Sequence, residues 1–296
     1  MDEIIYSLSY FKKYDWLTTG YLLIWIVLIL VNFDSVPSPW PFLSLHLLMF
    51  SMVVFLSGYR SQVPVLRLIQ SWYQFFFLLL FFTALHYLIP AINPNTLDFQ
   101  LINFDLFITG RIPTVWMEKF YSPLLTEILQ LSYMAFYFLP LMILIPLYYR
   151  KEMFRFNRFG FNILLTFYLS YFGYLIFPAL GPRYFLVHEQ QIILDGLGAY
   201  HTISTALNGL ENIQWDAFPS GHVAVAMIFS SFACRYFKKL FYITLPIVFF
   251  LILSTIYLRY HYLVDVLAGI FLFVVILVVD AIIFSGSPDS KFNNLS

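Results

Sequence analysis

The sequence predicts an all-α polytopic membrane protein of about eight transmembrane helices, and three observations carry that expectation. Hydrophobic residues make up 61% of the 296 and charged residues only 11%, against about 45–50% and about 25% in ordinary globular chains. With 35 Phe, 22 Tyr and 6 Trp to keep from water, 16 basic and 16 acidic residues cannot furnish a polar exterior. Second, apolar runs of roughly 20 residues, the length that crosses a bilayer core, recur along the chain. Third, Lys and Arg are partitioned unevenly between alternate connections, as cytoplasmic and external loops require.

Taken in order, the runs fall at 16–33, 40–57, 72–92, 124–149, 160–180, 219–237, 240–258 and 262–284, separated by charged, Pro-rich or Gly-containing breaks. The first exceeds a signal-peptide core and no small-residue cleavage site follows it, so it is expected to remain as an anchor. Of the 16 Lys and Arg, twelve lie in the N-terminal arm, the second-to-third, fourth-to-fifth and sixth-to-seventh connections and the tail with Lys291. Only Arg111, Lys119, Arg183 and Arg259 lie in the alternate connections. Both termini are therefore expected in the cytosol, with loops 93–123 and 181–218 on the outer or lumenal face. Their length marks them as functional. The first mixes Asp98, Asp105, Arg111, Trp116 and Met117 and reads as holding an interfacial helix. The organisation expected is an N-terminal hairpin over 1–71 and a six-helix core over 72–296.

The zero net charge removes any argument for nucleic acid or a polyanionic partner. A single cysteine, Cys234, excludes an internal disulfide and leaves no zinc or redox motif.

Polar residues interrupt the apolar pattern in three groups: Pro178 to Arg183 at the end of the fifth run, Phe218 to His222 at the start of the sixth, and Arg259 to Asp265 at the entry to the eighth. His222 and His261 are 39 residues apart, one helix inward and one back, so both return to the outer face. Arg183, His222, His261 and Asp265 are expected to converge there. In Pro219-Ser220-Gly221-His222, Pro suits a first helical turn and Gly lets the backbone approach a ligand. The helix start then favours an anion, which makes Ser220 and Gly221 a phosphate seat. His261 and Asp265 are at i and i+4, so the carboxylate can orient one imidazole nitrogen and leave the other as a nucleophile. Arg183 and Arg259 add planar donors matched to phosphate oxygens. His46, His86, His188 and His201 read as structural or loop residues, and Asp280 as an interfacial or packing carboxylate.

These motifs resemble the signature of the type-2 phosphatidic acid phosphatase superfamily, and especially its inositol phosphorylceramide synthase-like branch. The resemblance rests on Gly181-Pro182-Arg183, Pro219-Ser220-Gly221-His222 and His261 to Asp265 with Val266-Leu267-Ala268-Gly269. Less specifically it extends over Asp105 to Pro140, with Trp116, Pro123 and Tyr133. It implies double displacement without a metal or other cofactor: His261 attacks phosphorus, Asp265 stabilises its charged form, and His222 protonates the leaving oxygen. Arg183, Ser220, Gly221 and Arg259 would hold the phosphoryl oxygens. The partners implied are membrane lipids, with a lipid phosphate as substrate and water or a lipid alcohol as acceptor. Two positions depart from the phosphatase pattern, Ile176 and Thr255, where that branch carries cations. The loss resembles the transferase-like branch and leaves the acceptor open. A reading from another class is a transporter or channel with Arg183, His222, His261, Asp265 and Asp280 along an ion path.

The charge asymmetry predicts that a cysteine introduced at Asn208 reacts with an impermeant thiol reagent from outside and one at Asn157 does not. Opposite labelling would invert the topology.

Overall fold

The computed structural model describes residues 7–210 and 214–286. Lys291, counted above in the tail, residues 211–213 of the second outer loop and the Asn208 side chain lie outside the described set. The described residues are overwhelmingly helical, and their only β pairing is an isolated bridge between Ala179 and Asp216. Among the described residues seven helical stretches are long and apolar enough to cross a membrane, and the chain is an integral membrane protein.

Two compact units divide the chain, 1–95 and 96–296. The first holds α1 (Lys13–Val31), α2 (Pro39–Ser57) and α3 (Pro64–Ile92). The third long helix therefore groups with the first two. Two of these helices open with Pro in the first turn, where its missing N–H costs nothing. Phe76 and Leu79 are more than 60% exposed while Phe77 and Phe81 are buried, so the Phe-rich run of α3 serves both lipid and core. His46 is a packing residue, its Nδ1 2.7 Å from the Phe42 carbonyl and its ring beside Trp25 and Phe81.

The second unit begins with α4 (Asp98–Thr109), the helix expected in the first outer loop, and the short α5 (Pro113–Trp116). Next come α6 (Pro123–Met134) and α7 (Leu139–Tyr149), which continue one another through a 3-10 turn at Ala135–Tyr137. They form one candidate span, Pro123–Tyr149. Then follow α8 (Met153–Ile176), the short α9 (Pro182–Phe185), α10 (Ala199–Leu210), α11 (Gly221–Tyr236), α12 (Lys238–Tyr257) and α13 (Leu263–Ile283).

The expected span 219–237 appears as α11, which has only 16 residues and is not among the seven candidates. At 1.5 Å per residue it is about 24 Å long, short of a ~30 Å hydrocarbon core. Its surroundings explain why that suffices: α7, α8, α12 and α13 all pack on it, and Val223, Ala224, Val225, Ala226, Ile228, Phe229 and Ala233 are buried. A helix enclosed by protein need not match the bilayer.

Close approach around α11 is set by glycines on its neighbours. A Cβ on Gly269 of α13 would lie 2.6 Å from the Ser220 carbonyl oxygen, and one on Gly173 of α8 would lie 2.2 Å from Pro219 Cδ. Far from this end, Arg158 of α8 and Asp280 of α13 form a buried bidentate ion pair, Nε to Oδ1 2.9 Å and Nη2 to Oδ2 2.5 Å. Asn162 also donates to Oδ1, at 3.0 Å. Asp280 is thus a helix-packing carboxylate, as its position predicted.

Gly269→Ala should force α13 away from the Ser220 carbonyl and cost about 1–3 kcal/mol, the usual penalty of overpacking. Gly20→Ala, inside α1 with open space around its Cβ, should melt no lower than the parent, since a helix interior favours Ala over Gly. Thermal unfolding in detergent compares the two.

Candidate active site

The site is built from the turn after α8, the start of α11 and the entry to α13. His261 is buried in the turn preceding α13. Its backbone N–H, like that of Tyr260, donates to the Thr255 carbonyl at the end of α12. Its Nδ1 is 2.7 Å from the Ala217 carbonyl oxygen, which accepts a hydrogen bond and fixes the proton on Nδ1. Nε2 is then the lone-pair nitrogen, and it faces His222 Nδ1 at 3.3 Å. The two histidines that the 39-residue spacing brought to one face are in contact.

The acceptor for His261 is where sequence reasoning erred. Asp265 was expected to take the imidazole hydrogen bond, yet its Oδ2 is 3.5 Å from Nδ1 and accepts instead from the Tyr262 backbone N–H at 2.7 Å. Asp265 is the N3 residue of α13 and caps the helix start. A backbone carbonyl leaves no signature in a sequence, so Ala217 was invisible. Asp265 remains close enough to stabilise a charged imidazole.

Ser220 caps α11: its Oγ accepts from Val223 N–H at 3.4 Å, and its own N–H donates to the Asp265 carbonyl at 3.0 Å. Gly221 is required for a different reason than ligand approach. Its Cβ would meet Tyr174 Oη at 3.0 Å and Ser170 Oγ at 3.3 Å on α8. His222 follows, its ring stacked on Tyr133 at 4.5 Å between centroids and tilted against Phe136 at 4.2 Å. Tyr133 stacks in turn on Tyr260 at 4.2 Å and 13°, and the Arg183 guanidinium lies 5.3 Å from the Tyr260 ring centroid. This column of Arg183, Tyr260, Tyr133 and His222 fixes the general-acid candidate by aromatic contact. Arg183, His222 and His261 line one small cleft, about 30 Å³, with Tyr133, Tyr184 and Asp216.

Arg259 is not in that cleft. Its φ is +67°, and its guanidinium donates to Glu118 Oε1 (2.7 Å), the Ile192 carbonyl (2.6 Å) and Gln190 Oε1 (3.0 Å). Burial depresses its pKa and Glu118 pulls the other way. An arginine spent on Glu118 is a structural cation, which corrects the expectation that it grips phosphate. Ile176 is 58% exposed and Thr255 bonds within its own helix, so neither restores a cation.

Two residues noted in the first outer loop prove central. Asp98 accepts from the Leu180 and Gly181 N–H groups, both at 2.9 Å, and from Tyr262 Oη at 2.8 Å. That holds the turn carrying Arg183, where Gly181 has φ +83° and no room for a Cβ beside the Tyr260 carbonyl. Asp105 accepts from Leu263 and Val264 N–H at 2.9 and 2.8 Å, covering the first orphan amides of α13. Burial pushes the Asp105 pKa up, opposed by these two bonds, and burial followed by Asp98 pushes Tyr262 up. The legible signal was their i, i+7 spacing, which puts both on one face of a helix.

Among the described residues no group of three or more His, Cys, Asp or Glu has metal-binding geometry.

Asp105→Asn should place an amide donor against one of two helix N–H groups. The expected cost is about 1–3 kcal/mol in stability, with loss of turnover at permissive temperature. His222→Ala should lose turnover without that melting shift.

Comparison with known proteins identifies a family. The family model described as the PAP2 superfamily matches residues 100–279. A PA-phosphatase related-family protein of Dictyostelium discoideum is 27% identical over 173 residues, covering 52% of this chain and 31% of that protein. The chain therefore spans less than a third of the length of that curated relative. No solved structure matches.

Proposed function

The chain belongs to the PAP2 superfamily, and from that premise we propose that it is a membrane lipid phosphotransferase or lipid phosphate phosphatase acting through a phosphohistidine, similar to inositol phosphorylceramide synthases. The observation that carries the reading is the pair of imidazoles, with His261 Nε2 facing His222 Nδ1 at 3.3 Å and His261 Nδ1 bonded to Ala217.

In the first half-reaction a phosphoryl group enters between the rings and His261 Nε2 attacks phosphorus. The bond to the lipid oxygen breaks, and protonated His222 gives its proton to that oxygen. The phosphoimidazole carries positive charge, which the Ala217 carbonyl and the Asp265 carboxylate face. Arg183 and the Gly221 amide, the first N–H of α11, hold the remaining oxygens. In the second half-reaction His222 takes the proton of the acceptor hydroxyl as it attacks, and the phosphorus–nitrogen bond breaks. Water as acceptor gives a phosphatase, and a lipid alcohol gives a transferase. Among the described residues Arg183 is the one Lys or Arg lining the histidine cleft, a sparse complement that favours a phosphodiester, with less charge than a phosphomonoester, and so the transferase. In this reading the termini are cytosolic and the cleft opens to the outer or lumenal face.

A lipid alkoxide needs a proton to leave and a nitrophenolate does not, so the two histidines separate kinetically. His222→Ala should lower lipid turnover about 10²- to 10⁴-fold while retaining the nitrophenol burst from an aryl phosphate. His261→Ala should abolish both. Full turnover by His261→Ala would end the phosphohistidine reading, and product analysis with and without a hydroxylated lipid decides the acceptor.

A further inference from the structure

The histidine cleft has an acid in its wall. Asp216, in the loop that leads into α11, lines it together with Arg183, His222 and His261. Among the described residues it is the one carboxylate lining either this cleft or the larger cavity beside it, of about 310 Å³, which shares Arg183 and Tyr260 with the cleft. Asp265, 3.5 Å from His261 Nδ1, is fully buried and does not line the cleft.

Backbone pairing fixes the acid in place. Asp216 forms the isolated parallel bridge with Ala179, and the next residue, Ala217, donates its N–H to the Ala179 carbonyl at 3.3 Å. In extended chain successive side chains go to opposite sides. Ala217 turns inward to a buried cluster with Ala179, Leu101, Ile102 and Tyr262, and Asp216 turns to the cleft. The Ala217 carbonyl is also what holds His261 Nδ1. The segment that orients the nucleophile therefore presents the acid as well, and a slip of one residue would exchange the charge for a methyl group.

A carboxylate is an unfavourable neighbour for any anion, and more so for one of higher charge. Arg183 and Asp216 cancel, so protonated His222 is left to answer the single negative charge of a phosphodiester. A phosphomonoester near neutral pH brings a charge of about −1.5 to −2. In a cleft of about 30 Å³ the excess lies within a few ångströms of Asp216. The repulsion of one carboxylate on a dianion is twice that on a monoanion, and at this range salt screens it little. Specificity is a difference between affinities, and repelling the wrong ligand raises it as surely as attracting the right one.

We propose that Asp216 is a specificity residue that makes the histidine cleft reject doubly charged phosphate, in a phosphomonoester or as the free ion, relative to a singly charged phosphodiester. The inference rests on the phosphoryl-transfer reading of the cleft and names the residue that sets which charge enters it. Inorganic phosphate is thereby kept from occupying the seat formed by Arg183 and the Gly221 amide.

The test uses the full chain in detergent at about pH 7.5, where a monoester is mostly dianionic. Nitrophenol release from p-nitrophenyl phosphate and from methyl p-nitrophenyl phosphate gives kcat/KM for a monoester and a diester with one leaving group. Asp216→Asn should raise the monoester value about ten- to hundred-fold more than the diester value, the factor that one further unit of like charge contributes at short range. Asp216→Glu should keep the parent ratio. Affinity for inorganic phosphate, read from the rise in melting temperature with phosphate concentration, should tighten in Asp216→Asn by at least the same factor. An unchanged monoester-to-diester ratio overturns the proposal. So does an equal loss on both substrates without a gain in phosphate affinity, which is what a residue needed only for packing would give. Asp216→Ser, neutral and shorter, repeats both measurements if Asp216→Asn does not fold. The phosphate arm needs no turnover and judges Asp216 by itself, whereas a parent protein that releases no nitrophenol from either ester counts against the catalytic reading.

Discussion

Asp98 and Asp105 hold the backbone amides of two turns that lie far from them in sequence, and the arrangement of the histidine end depends on that grip. Helix starts and tight turns leave N–H groups without intrahelical acceptors, and at the edge of a bilayer water is a poor substitute. One carboxylate takes the Leu180 and Gly181 amides and the Tyr262 hydroxyl, the other takes Leu263 and Val264. Both come from α4, so a single helix fixes Arg183 on one side and the His261 turn on the other. With Asp105 and Asp265 covering its amides, the start of α13 is filled by protein carboxylates. In the proposed reading, the helix end left for the phosphoryl group is that of α11.

Charge elsewhere is neutralised by specific partners. Arg259 is matched by Glu118, and Arg158 by Asp280 and Asn162. Removing one member of such a pair strands the other in a medium that solvates ions badly. Glu127 of α6 plays a related part for α10, accepting the N–H groups of Leu197, Gly198, Ala199 and Tyr200 with its two oxygens. Tyr200, in the first turn so anchored, lines the larger cavity.

The helical membrane class and the meeting of His222 with His261 were legible because they follow from composition, run length and a spacing of one helix out and one back. Ser220 as a cap and Asp280 as a packing carboxylate were legible for similar local reasons. What escaped was long-range pairing. Arg259 and Glu118 are 141 residues apart, and no local pattern distinguishes an arginine aimed at phosphate from one spent on a carboxylate. The Ala217 carbonyl that orients His261 carries no residue-type signal at all. The length of α11 escaped because hydropathy reports apolarity and not whether lipid or protein surrounds it.

The pairing of Arg158 with Asp280 sets an order on biosynthesis. These residues are 122 apart, so α8 must enter the membrane long before its counter-ion is translated. Until the ribosome reaches the end of α13, Arg158 has to remain at the membrane surface, where its long side chain can reach water. The same step delivers the Tyr262, Leu263 and Val264 groups that Asp98 and Asp105 have been waiting for. A nascent chain cut short before Asp280 lacks the carboxylate that Arg158 pairs with, so the packing of α8 against α13 is completed only when the end of α13 has been made.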